Sequence, residues 1–277
     1  MTIPDRIDFL IRYRLKFLPS FFKKSSELKE QFRQIYFFPN FPHKRTVIYK
    51  ICRRLGIKIL ISEKNNENLQ FFWDDSTNYE KPIDSANSIN AGCTNISKDY
   101  VDSIFRNVFG YGVNIDPKNY EGKCVIKSKE NAQHDGRIID CPTEFADDSF
   151  VYQTILNNEE DDLVKDIRTP IFGNKLPLVY LKYKTMEKRF TNDILKVEVK
   201  RTNEIFSREE ENNILSFAKN IGLDYGELDI IRNKDDGRIY IIDVNKTPWG
   251  PPATISEKDY EFVLQEMSKA FIEEFLN

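Results

Sequence analysis

The apolar positions of this chain fall into short blocks whose spacing changes along its length. Residues 46–55 (TVIYKICRRL) carry their apolar side chains at helical spacing, and Gly56 behind them suits a helix end. Residues 57–62 (IKILIS) and 69–73 (LQFFW) are apolar runs of strand length. A polar stretch, 74–90, reads as a long loop or linker. Beyond residue 95 the texture shifts. Residues 97–108 (SKDYVDSIFRNV) predict an amphipathic helix with Ser97 as its cap. A strand at 123–128 (KCVIKS), a polar loop at 129–136 and a return at 137–140 follow, then a strand at 150–156. Residues 171–183 suggest a hairpin turning at Gly173-Asn174. A helix at 209–221 precedes strands at 227–232 and 238–244, joined by the turn Asp235-Asp236-Gly237. A helix at 257–276 ends the pattern. Helices and strands mixed in this way predict an α+β or α/β chain with more than one sheet.

Composition narrows the class. With 277 residues and 40% hydrophobic content, the chain has enough apolar material for a core and for one or two domains. Its 41 basic and 44 acidic residues nearly cancel, so charge gives no reason to expect nucleic acid. No run approaches the roughly 18 apolar residues that a membrane span needs. Residues 7–22 (IDFLIRYRLKFLPSFF) are basic and aromatic, a poor secretory signal because the charges interrupt the apolar stretch. That segment either lies on an anionic membrane surface or packs on its own domain. Cys52, Cys93, Cys124 and Cys141 are scattered, with no close pair, and His43 and His134 do not complete a zinc set. Reduced, buried thiols are expected, and with them a cytoplasmic location.

The most informative stretch is 222–252 (GLDYGELDIIRNKDDGRIYIIDVNKTPWGPP). Asp229 lies on one apolar strand, and Asp243 and Asn245 lie on one face of the next. Two carboxylates and an amide oxygen converging from adjacent strands make a hard, all-oxygen site that suits magnesium. The alternative is that Asp243 and Asn245 only cap the turn before Pro248.

An acid in a strand, a turn, and an apolar strand ending in Asp-x-Asn before Pro248 resemble the C-terminal signature of the ATP-grasp superfamily. The resemblance spans roughly residues 95–252. Lys98, at a helix start, matches the first nucleotide-binding lysine of that superfamily, and Lys127, closing a strand, matches the second. Gln153-Thr154-Ile155-Leu156 matches the hinge strand that meets adenine through its backbone. Asp166-Ile167-Arg168 resembles the Asp-x-Arg of several ligase branches, and Arg189-Phe190-Thr191-Asn192 resembles an element that contacts phosphate and metal there. The loop 128–136 has one glycine where many relatives have several, with Ser128, Asn131 or His134 to compensate.

The resemblance implies an ATP-grasp fold of two α+β subdomains clasping the nucleotide (residues 95–277, lid at about 120–158), preceded by a small α/β unit (1–94). It implies ATP and Mg2+, with Mn2+ as the other cation. Nucleotide contacts would come from Lys98, Lys127, Ser128, His134, Gln153, Thr154, Ile155 and Asp166. Metal ligands would be Asp229, Asp243 and Asn245; Arg168 and Arg189 would face the acceptor or the transferred phosphoryl group, because a planar fork suits oxyanions. Three functions follow: a ligase activating a carboxylate as an acyl phosphate for an amine; a kinase acting on a hydroxyl or amide; or a module that holds ATP without turnover. Asp243 in place of the commoner Glu, and Glu227 where some ligases have arginine, lean toward the kinase. The acceptor is an unidentified small molecule or saccharide, on which Trp249 either stacks or instead packs the C-terminal helix; Asp74 and Asp75 read first as solvated loop acids and otherwise as acceptor or cation contacts, and a homodimer is left open.

Overall fold

The structure is a computed structural model that describes residues 34–60, 69–81, 88–133, 135–144 and 146–276. The basic aromatic segment 7–22, the end of the strand expected at 57–62, and His134 lie outside the described residues.

Three strands open the fold. β1 (Gln34–Pro39) lies between β2 (Lys58–Leu60) and β3 (Leu69–Trp73), parallel to both. Parallel neighbours need a crossover. Helix α1 (Val47–Leu55) provides it, burying Val47, Ile48, Ile51, Cys52 and Leu55 and ending at Gly56 with φ 70°. β1 was not predicted: QIYFFP has no alternating pattern and ends in proline.

The stretch 74–90 is irregular, as expected, but it is not a free linker. Ile89 bridges to Phe71, and the side chain of fully buried Asn90 donates to the Tyr225 carbonyl and accepts from the Asp224 and Tyr225 amides. A polar residue enters the core because it satisfies backbone groups there.

Helix α2 (Lys98–Phe109) follows Ser97, yet the Ser97 side chain caps nothing. Its hydroxyl and amide both donate to Asn95 Oδ1, at 2.8 and 2.9 Å, and the hydroxyl oxygen accepts no amide of the first helical turn, as a cap would. A small antiparallel sheet comes next, with β4 (Gly122–Ser128) between β5 (Arg137–Cys141) and β6 (Phe150–Thr154).

The central sheet has six strands: β7 (Glu159–Glu160), β8 (Leu163–Phe172), β9 (Val179–Thr185), β10 (Lys196–Lys200), β11 (Tyr225–Arg232) and β12 (Ile239–Asn245). Their order is β10-β9-β8-β11-β12, with β7 on β8, and every pairing is antiparallel. The hairpin expected at 171–183 is the β8–β9 connection, with Gly173 at φ 52°. β10, an edge strand in which valines alternate with charged residues, was not predicted. Helix α3 (Thr202–Ile205) leads into α4 (Arg208–Ile221), whose Ser207 and Glu210 form a capping box, and α5 (Glu257–Phe275) closes the chain.

One face of the central sheet packs on α2 and α4 through Phe105, Phe217, Leu228, Ile230 and Val244. On the other face, Phe172, Tyr180 and Tyr225 share a core with α1, β1, β3 and α5. Further along the same strands this second face turns charged: Tyr180 gives way to Lys182 and Lys184, Tyr225 to Glu227 and Asp229, and Pro170 to Arg168 and Asp166. The charged end is where apolar cover stops. A cleft of about 700 Å³ opens there, lined by the central sheet and by β4, β6 and the 128–136 loop. Two α+β layers facing across a cleft are the architecture that the sequence resemblance implies.

Candidate active site

The floor of the cleft is a row set by strand register. Arg168 on β8 pairs with Asp229 on β11, which pairs with Asp243 on β12. Cross-strand neighbours on one face touch, and here the touching is ionic. Arg168 Nε donates to Asp229 Oδ1 at 2.7 Å and Nη2 donates to Oδ2 at 2.6 Å. Lys182 Nζ stands 3.5 Å from Asp229 Oδ1, and Arg168 Nη1 stands 3.4 Å from Glu227 Oε2. Against burial, which favours the neutral acid, Arg168 and Lys182 hold the Asp229 carboxyl well below the usual carboxylate range. Asp243 moves the other way: burial, then the neighbouring Asp229 carboxylate, raise it, while Lys98 and Lys127 oppose. Burial likewise raises Glu227, against Arg168.

Asp243 Oδ1 is buried and finds no hydrogen-bond partner among the described residues. A buried carboxylate oxygen left bare is costly unless a cation meets it. Asn245, on the same strand face, accepts the Thr247 amide at 3.0 Å, which gives it the turn role as well.

Across the cleft, β4 delivers Lys127 and the first turn of α2 delivers Lys98. Burial, with Lys98 nearby, brings the Lys127 ammonium down to about 8. Lys98 is tied to the 128–136 loop twice, its amide donating to the Lys129 carbonyl and its Nζ to the Glu130 carbonyl. The loop is closed by Ser128 N donating to Asp135 Oδ1, and it is held to the first sheet's side by Asn131 N donating to Thr77 Oγ1. Its single glycine has a local reason. A Cβ on Gly136 would stand 2.9 Å from the Phe190 ring, so only glycine lets the loop lie against that side chain.

Lys98, Lys127, Gln153, Thr154, Asp166, Arg168, Arg189, Asp229, Asp243 and Asn245 therefore share one cleft. Ser128 and Ile155 are outside its lining; the Ser128 hydroxyl accepts the Glu130 amide within the loop. Several partners differ from expectation. Gln153 is buried with its amide donating to Asn114 Oδ1, so its side chain is held by protein. Asp166 is paired with Lys184 at 2.8 Å and takes a bond from Asn158. Arg168 and Arg189, expected to face substrate, both bind protein: Arg168 grips Asp229, and Arg189 donates to the Leu156 carbonyl and Asn158 Oδ1. Lys182 and Lys184 were not singled out in sequence. The signal was the alternation Tyr180-Leu181-Lys182-Tyr183-Lys184, which puts both lysines on one face of β9.

The row continues outward. Asp243, Asn245, Thr247 and Trp249 all line the cleft at alternate positions. Trp249 is 56% exposed, stacks on His43 with ring centroids 5.2 Å apart, and lies 5.9 Å from the Arg45 guanidinium carbon. The tail is pinned to the N-terminal side by Val47 N donating to the Pro248 carbonyl and Gly250 N to the Arg45 carbonyl.

No protein-family profile matches the chain, and no curated protein matches it in sequence. Among solved structures it is similar to the ATP-grasp ligase PsnB complexed with minimal precursor, at 17% identity and a TM-score of 0.43, over 68% of this chain and 64% of that one. It is similar to the macrocyclase MdnC from Microcystis aeruginosa bound with precursor peptide MdnA, at 12% identity and TM-score 0.46, covering 86% and 98% of the two chains. It is also similar to a D-alanine–D-alanine ligase from Bacillus anthracis, at 12% identity and TM-score 0.49, covering 88% and 97%. The match spans less than two thirds of the length of PsnB.

Proposed function

We propose that this protein is an ATP- and Mg2+-dependent ligase of the ATP-grasp kind, which activates a carboxylate as an acyl phosphate for attack by an amine. The observation that carries this reading is the opposition, across one cleft, of Lys98 and Lys127 to the row Asp229, Asp243 and Asn245. PsnB has been described in complex with Mg and ADP, and the Bacillus anthracis ligase in complex with ATP.

The donor set fits magnesium: every ligand is a hard oxygen, and Asp243 Oδ1 has no other partner among the described residues. Asp229 gives each oxygen to Arg168, which leaves lone pairs for a cation because a carboxylate offers about four acceptor sites. Asp229, Asp243 and Asn245 would hold magnesium there, and the cation would supply positive charge to offset that of the nucleotide's phosphates. Lys98 and Lys127 hold the phosphates from the other side as point charges. The end of β6 orients adenine through its backbone. Arg168 is best assigned as the residue that fixes Asp229, and Arg189 as the tie between the 186–195 segment and the hinge. In the first step the terminal P–O bond to ADP breaks as a substrate carboxylate oxygen bonds to phosphorus. In the second an amine nitrogen bonds to the acyl carbon, the acyl C–O bond to phosphate breaks, phosphate leaves and the amine's proton passes to solvent.

The pairing of the floor's acids favours a ligase over a kinase. A hydroxyl acceptor needs a free carboxylate to take its proton. Asp166 and Asp229 are both ion-paired. The kinase reading is supported by the exposed Asp75 at the same cleft, beside the sequence leanings of Asp243 and Glu227. The acceptor would run along Asn245, Thr247 and Trp249, a reach of up to about 13 Å at strand spacing. That length suits an extended acceptor with a flat ring at one end, a saccharide among them. The segment 1–94 is proposed as the unit that builds this acceptor side, and 95–277 as the nucleotide-binding unit.

The test is product analysis with ATP, Mg2+ and pools of carboxylic acids and amines. Phosphate release that requires both an acid and an amine supports the ligase. A stable phosphorylated acceptor without free phosphate supports the kinase.

A further inference from the structure

Cys124 and Cys141 are 17 residues apart in sequence, yet their sulfurs lie 3.2 Å apart on the neighbouring strands β4 and β5. Both are free thiols; Cys124 is fully buried and Cys141 is half-buried. A disulfide needs sulfurs about 2.05 Å apart, so a small side-chain adjustment closes the gap. The other two cysteines, Cys52 and Cys93, are fully buried in other cores. We propose that Cys124 and Cys141 are an oxidation site that forms an intramolecular disulfide when the protein meets a hydroperoxide.

The chemistry follows from exposure. Cys141 is the sulfur a solvent oxidant reaches, and Cys124 has no route to solvent of its own. Cys141 attacks the peroxide O–O bond and becomes a sulfenic acid, releasing water or the alcohol. The Cys124 sulfur then displaces hydroxide from that sulfenic sulfur and loses its proton to it as water. Two thiols and one hydroperoxide thus give a disulfide, water and the reduced peroxide product. Burial, and Cys141 beside it, hold the Cys124 thiol up at about 12, which slows its ionisation. Contact distance compensates, since a neighbouring thiol acts at high effective concentration.

The position gives the bond a consequence. Residues 124 and 141 stand near the base of the β4–β5 hairpin, so the bridge encloses Lys127 and the whole 128–136 loop. A clip there ties the arm that carries the phosphate-facing groups. That consequence rests on the nucleotide reading above; the formation of the bond does not.

The experiment oxidises the full-length protein with hydrogen peroxide, alkylates remaining thiols after denaturation, and maps tryptic peptides by mass. Cleavage after Lys and Arg separates 124–127 from 138–165, so the bridge appears as these two peptides linked, and dithiothreitol releases them. The expected result is this linked pair in most chains, with Cys52 and Cys93 alkylated. Cys141→Ser must remove the linkage while the protein keeps its native circular dichroism. Cys141 accumulating as sulfinic acid while Cys124 stays alkylatable would overturn the proposal. So would linkage of either residue to Cys52 or Cys93. Affinity for an ATP analogue, compared between oxidised and reduced protein, then reads the consequence separately. A linked pair with no nucleotide binding in either form would leave the disulfide standing and remove the nucleotide reading.

Discussion

Arg168 holds Asp229 by both carboxylate oxygens, at 2.7 and 2.6 Å, and so fixes the first acid of the cleft floor in place. Removing one partner of a largely buried pair leaves the other charge uncompensated, which costs on the order of 3–5 kcal/mol. Arg168→Met should therefore lower stability by about that amount, measured by denaturant unfolding. Arg168→Met with Asp229→Leu should recover part of the loss, because Asp229 no longer stays charged without Arg168, while buried Glu227 and Lys182 each lose one partner. Arg168→Lys should fold, yet lose turnover more than nucleotide affinity, because a point charge does not fix the carboxylate as a fork does.

Asp243 gives the opposite sign. Its buried Oδ1 lacks a partner among the described residues, and burial together with Asp229 disfavours its charged form. Asp243→Asn should raise or preserve the melting temperature of the metal-free protein while abolishing Mg2+-dependent turnover. A drop in stability of more than about 1 kcal/mol would show that Asp243 is a structural acid.

Lys127 predicts two pH effects of opposite direction. Its ammonium is brought down to about 8, from an ordinary 10.5. Nucleotide binding needs the charged form, so affinity should fall as pH rises through about 8. In the unfolded chain the lysine keeps its proton up to about 10.4. Between those values the unfolded state binds more protons, and apo stability contributed by this residue rises with pH. Lys127→Arg should flatten the affinity profile, which calorimetric titration across pH 7 to 9.5 would detect.

Trp249 and Asn245 lie on one strand extension and line one cleft. Trp249→Ala should raise the acceptor KM by roughly tenfold, in line with the energy of an aromatic contact and its buried area, with kcat and nucleotide affinity little changed. An equal loss in nucleotide affinity would place the indole at the wrong end of the cleft.

The parts of this site that are local in sequence were legible, and the parts made by distant strands were not. The turn at 235–237 sets the pairing of β11 with β12 as far as Ile230 opposite Ile241, and a register shift between Asp229 and Ile230, which the sequence does not announce, then brings Asp229 opposite Asp243. Lys98 and Lys127 sit at element ends, where residue type and position point the same way. The Arg168–Asp229 grip joins residues 61 apart through the β8–β11 register, which no local pattern states. Lys182 and Lys184 alternate with apolar residues, the pattern of a solvated strand face, and only the facing β4–β6 sheet makes that face a cleft. Cys124 and Cys141 are likewise joined by the β4–β5 pairing rather than by their spacing.

The central claim is that Lys127 and Asp243 hold the two ends of one Mg2+–nucleotide complex. Calorimetric titration with a non-hydrolysable ATP analogue, with and without Mg2+, tests it on the wild type, Lys127→Ala and Asp243→Asn. The account predicts binding to the wild type that Mg2+ strengthens, a loss of tenfold or more in Lys127→Ala, about 1.4 kcal/mol or greater, and retained but Mg2+-independent binding in Asp243→Asn. Absence of binding to the wild type, or wild-type affinity and Mg2+ dependence in both variants, would contradict it.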